Sequence, residues 1–142
     1  MKNSIITALL FVLALAGCEK KAEAPQYDIY ENHGISACGI SDPLQNIEWL
    51  KEYCDNLKSI RNFSSVYIYL YKVIDTDENL FQICTSYPNF DYFPFLGTSD
   101  WMNCTGKLVF GTCSGVPPVP GLVEEFMADK ELVTELFHLI KN

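Results

Sequence analysis

From Pro43 onward, apolar residues fall at Leu44, Ile47, Leu50, Cys54 and Leu57, at the intervals of three and four that mark one face of an α-helix. Asp42 can cap the first free amides, and Pro43 suits the first helical position, where its missing N–H costs nothing. The other side carries Gln45, Glu48, Lys51, Glu52, Asp55 and Lys58, so the spacing predicts an amphipathic helix over 43–58. At Ser64 the period changes to two. Val66, Ile68 and Leu70 alternate with Tyr67, Tyr69 and Tyr71 up to Ile74, which predicts a strand with an aliphatic face and a tyrosine stripe. Asp75-Thr76-Asp77-Glu78-Asn79 is a turn, and Leu80 to Thr85 is the returning strand of a hairpin. Trp101 to Cys104, a turn at Thr105-Gly106 and Lys107 to Phe110 predict a second hairpin. Between Leu122 and Lys141, the residues Val123, Phe126, Met127, Val133, Leu136, Phe137 and Ile140 gather on one side of a C-terminal helix with a break near Ala128-Asp129. The expected fold is α+β: an N-terminal amphipathic helix packed on a roughly four-stranded antiparallel sheet, with a C-terminal helix.

Two segments interrupt these elements. Ser86 to Gly97 holds five aromatics and two prolines, which rules out a regular helix or central strand. Val116-Pro117-Pro118-Val119-Pro120-Gly121 separates the sheet from the C-terminal segment.

Ahead of the folded part, Lys2 precedes an apolar run from Ile5 to Ala16, about a dozen residues against the roughly 20 that span a bilayer. Leu15-Ala16-Gly17-Cys18 resembles the lipobox of bacterial lipoprotein signals. That resemblance implies cleavage before Cys18, acylation of Cys18, and attachment to a membrane through the lipid anchor. The expected organisation is a signal peptide over 1–17, a polar tether over 18–37 and a single domain over 38–142. Glu19 rather than Asp at the second mature position points to the outer membrane of the bacterial cell envelope. Removing residues 1–17 takes one lysine and no acid, so the formal charge falls from −8 to −9. A surface this acidic repels phosphate backbones, and nucleic acid is excluded as the expected partner.

Five cysteines follow Cys18, and an extracytoplasmic chain favours disulfides over thiolate metal sites. No pair has C-x-x-C spacing. Two bridges among Cys38, Cys84, Cys104 and Cys113 are expected, with connectivity open. Cys54, at helical spacing among apolar residues, is the candidate free thiol.

Several patterns bear on chemistry. Gly111-Thr112-Cys113-Ser114-Gly115 fits a thiol version of the nucleophile elbow, but Pro117, Pro118 and Pro120 block the helix that must follow it. His33 and His138 are the only imidazoles, and each reads as a surface residue. Asp75 to Asn79 opens like a calcium loop but has Leu80 and Ser86 where Gly and Glu are required. No catalytic residue, metal site or cofactor is assigned. The aromatics Tyr67, Tyr69, Tyr71, Tyr92 and Phe93 are the candidate contact residues, because tyrosine supplies amphipathic area at binding sites. The competing reading is that the C-terminal segment covers the tyrosine face.

Cys38-Gly39, Asp42-Pro43-Leu44 with Trp49-Leu50, the tyrosine-rich strand and Asn103-Cys104-Thr105-Gly106-Lys107 together resemble small uncharacterised lipoproteins of Bacteroidetes. The resemblance runs from Cys38 to Cys113 and implies no activity. Cys54, Phe110 in place of a cysteine and the long C-terminal segment depart from that pattern. The expected function is a non-enzymatic binding module in the envelope, contacting a protein or glycan. The alternative is a small envelope enzyme or thiol-active protein using Cys113 or an unpaired cysteine.

Overall fold

A computed structural model describes residues 26–60, 63–87, 97–112 and 119–142. Strand β1 (Tyr27–Glu31) is followed by a small ribbon, β2 (Ser36–Ala37) and β3 (Ile40–Ser41), and by helices α1 (Pro43–Asn46) and α2 (Glu48–Ile60). Strands β4 (Ser65–Val73), β5 (Asn79–Ser86), β6 (Gly97–Asn103) and β7 (Leu108–Thr112), helix α3 (Leu122–Met127) and strand β8 (Lys130–Lys141) complete it. The main sheet is antiparallel, with spatial order β1-β8-β4-β5-β6-β7.

Alternation along β4 builds the core. Val66, Ile68 and Leu70 are at most 1% exposed and share a face with Phe81, Ile83, Phe137 and Leu139. Helix α2 lays Leu50, Cys54 and Leu57 into the same cluster. Each such aliphatic side chain contributes about 1.5–3 kcal/mol by leaving water. Trp49 fixes the helix to the β6–β7 turn: its ring meets Phe81 edge-on at 5.4 Å, and its Nε1–H donates to the Cys104 carbonyl at 3.0 Å. Gly106, at φ +77°, lets the turn pass under the indole, since a Cβ there would sit 2.8 Å from the ring. A disulfide joins Cys38, in the β2–β3 turn, to Cys104 in the β6–β7 turn.

The expected fold class is corrected in three respects. The sheet has six strands rather than four, and the protein is mostly β with small helices. The C-terminal helix is instead the twelve-residue strand β8, inserted between β1 and β4, and only Leu122–Met127 is helical. Residues 27–31, placed in the tether, form an edge strand paired from Tyr27↔Lys141 to Glu31↔Phe137. The helix over 43–58 is also broken: Ile47 is extended (φ −92°, ψ 107°) and separates α1 from α2. Asp42 makes no side-chain cap, because its carboxylate turns to His33 instead.

Candidate functional site

Core burial takes one face of the sheet and leaves the tyrosine face to be filled otherwise. That second face divides into two. At one end Tyr71 meets Trp101 at 4.6 Å between ring centroids, and Phe126 of α3 stacks on Phe110 at 4.2 Å and against Trp101 at 5.2 Å. Val73, Leu80 and Trp101 are buried there, and Lys130 Nζ lies 4.0 Å above the Phe126 ring. Tyr71 is thus part of a second small core, and burial pushes its hydroxyl pKa up.

At the other end the register aligns Tyr30 of β1, His138 of β8, Tyr67 of β4, Cys84 of β5 and Ser99 of β6 in one row. Tyr30 stacks on His138 at 5.3 Å, His138 tilts against Tyr67 at 5.8 Å, and Tyr67 lies parallel to Tyr69 at 6.0 Å. His138 is oriented by Glu135, whose Oε1 is 2.6 Å from Nδ1, and its Nε2 is 3.7 Å from Asp28 Oδ2. Tyr30 is 41% exposed, and Tyr67 and Tyr69 are half-buried. The Tyr69 hydroxyl is pushed up by burial and further by Glu135.

Beside Tyr67 the sheet surface holds a depression of 340 Å³, lined by Ser65, Tyr67, Cys84, Ser86 and Ser99, with Thr85 and Thr98 between them. The Ser99 hydroxyl accepts from Gln82 Nε2 at 2.9 Å. Thr85 belongs to the opposite face, where its hydroxyl is bonded to Tyr53.

Of the candidate binding aromatics, Tyr67 and Tyr69 lie on the open part of this face, while Tyr71 is in the second core. Tyr92 and Phe93 lie outside the described residues. Two residues of the aromatic row escaped the sequence reading. Tyr30 lies in the segment expected as tether, and His138 in the one expected as helix. Their signal was register across strands, which periodicity within one segment does not carry.

The cysteines also separate. Cys38 and Cys104 are bonded, so one bridge is found among the described residues where two were expected. Cys84, a disulfide candidate, is a free, half-buried thiol. Cys54 is a free thiol as expected, 3% exposed and raised by burial to a pKa of about 12. Burial raises the Cys84 pKa as well, against a hydrogen bond with Ser99 that lowers it. Cys18 and Cys113 lie outside the described residues. Among the described residues no group of three or more His, Cys, Asp and Glu side chains is placed to hold a metal ion. The Asp75–Asn79 segment turns at Asp77 (φ +60°), whose carboxylate pairs with Lys72 at 2.7 Å.

A polar cluster joins the end of β1 to the segment before α1 and to α2. His33 Nδ1 is 2.9 Å from Asp42 Oδ1, and its Nε2 is 3.5 Å from Glu31, which also pairs with Lys58. The Asp42 bond raises the His33 pKa above its ordinary value. No described helix is long and apolar enough to cross a membrane. Comparison with family models, with curated proteins and with solved structures found no match.

Proposed function

We propose that this chain is a lipid-anchored lipoprotein of the bacterial cell envelope that works as a non-enzymatic binding module through the open end of its tyrosine face. The observation that carries the anchoring is Leu15-Ala16-Gly17-Cys18 behind a short apolar run. The described domain begins with β1, the strand that brings Tyr30 to the aromatic row. Glu19 at the second mature position supports placement at the outer membrane, by the sorting rule of enterobacteria. The partner is a protein or glycan of the envelope, and the acidic charge argues against nucleic acid. Support for the binding role comes from Tyr30, Tyr67, Tyr69 and His138, rings with polar tips left half-open to solvent. A thiol-active reading is disfavoured for Cys54 and Cys84, because burial raises both and keeps them protonated near neutrality.

Expression in a bacterial host with an alkyne-tagged fatty acid tests the anchor. The wild-type chain is expected to take up label and sediment with membranes, and Cys18→Ser to lose both. A wild-type chain that is unlabelled and freely soluble would overturn the proposal.

A further inference from the structure

From the depression beside Tyr67 we infer that the open end of the tyrosine face binds a neutral saccharide unit, an inference that rests on the binding role proposed above. The chain is strongly acidic, yet among the described residues the side chains that this face gives to the 340 Å³ hollow, Ser65, Tyr67, Cys84, Ser86 and Ser99, include no charged group. Among those residues a cationic partner would find no carboxylate, and an anionic one no cation. Neutral polyhydroxyl compounds match it on two counts. Serine and tyrosine hydroxyls both donate and accept, and so can exchange hydrogen bonds with sugar hydroxyls in either sense. The Tyr67 ring, held parallel to Tyr69 and against His138, supplies a fixed apolar wall for the C–H face of a pyranose.

The hollow lies at the small end of the range for small-molecule sites, about 300–1,000 Å³, which suits one or two sugar residues rather than a long chain. The Ser99 hydroxyl accepts from the Gln82 amide at 2.9 Å and from the Cys84 thiol at 4.0 Å, which leaves its proton to donate. Preformed positions of this kind reduce the ordering cost of binding.

Saturation-transfer NMR on the purified protein tests the inference, with maltotriose, cellotriose and tri-N-acetylglucosamine as neutral probes and trilysine as the cationic one. At least one trisaccharide is expected to receive saturation and to shift Tyr67 and Ser99 signals. Tyr67→Ala is expected to weaken that binding about tenfold, the scale of one aromatic contact. Tyr71→Phe, in the second core, is expected to leave it unchanged, and the thermal unfolding of each variant shows whether it is folded. Transfer to no trisaccharide, with Tyr67 shifted by trilysine, would overturn the saccharide assignment and keep the binding face. Shifts at Tyr67 from neither class would overturn both.

Discussion

Replacing both Cys38 and Cys104 by alanine removes the staple between the β2–β3 and β6–β7 turns, and its effect follows from the length of chain enclosed. The bonded cysteines are 66 residues apart. Chain-entropy arguments put the stabilisation from closing such a loop at roughly 4.4 kcal/mol at 25 °C, through restriction of the unfolded chain. For a domain of this size that is a fall in Tm of roughly 15–20 °C. The folded state should lose little besides, because Trp49 still donates to the Cys104 carbonyl and Cys38 N–H still meets Asn79 Oδ1 at 2.6 Å. Urea unfolding followed by tryptophan fluorescence is the assay, and Trp49 and Trp101 report one from each core. The double variant should unfold at lower urea with a slightly larger m value, since its unfolded chain is more expanded. A loss below about 1 kcal/mol, in a protein whose bridge is verified by non-reducing peptide mapping, would refute this account.

Two further expectations concern titration. With Ellman's reagent at pH 8, Cys54 should be silent in the folded protein and react only on unfolding, because burial holds its pKa at about 12; labelling of Cys54 as fast as Cys84 would contradict it. His33, raised by Asp42, should titrate by NMR above the ordinary 6.5, and Asp42→Asn should bring the midpoint back down. A raised folded-state pKa means the pair adds stability in full below pH 6.5, and loses it as pH climbs through the folded value. A midpoint unchanged by the substitution would sever that link.

The hairpins were legible because β4 keeps a strict period of two, Val66, Ile68 and Leu70 against Tyr67, Tyr69 and Tyr71. The C-terminal strand was not, and the ladder shows why. Tyr69 pairs with Glu135 and Ile68 with Phe137, so Leu136 is an extra residue; Leu70 pairs with Thr134 and Tyr71 with Leu132, so Val133 is another. Two bulges within four residues place Leu136 and Phe137 side by side in the core and break the alternation. The resulting spacing of Val133, Leu136, Phe137 and Ile140 imitates a helix face. Strand β1 was hidden differently. It is a short edge strand next to a polar segment, with Asp28, Ile29 and Tyr30 all exposed, so nothing in its own pattern marks a buried side. For the site, Tyr67 and Tyr69 were readable from one strand. Tyr30, His138 and Ser99 depended on which strands become neighbours.

The position of β8 also sets an order of events. Strand β8 lies between β1 and β4, and among the described residues β1 has no other neighbour in the sheet. Strands β4 to β7 can pair through local hairpins, but β1 pairs only with β8, far along the chain. Completing the sheet therefore waits on closure of the long loop from β1 to β8, where Asn142 N–H reaches the Gln26 carbonyl at 3.0 Å.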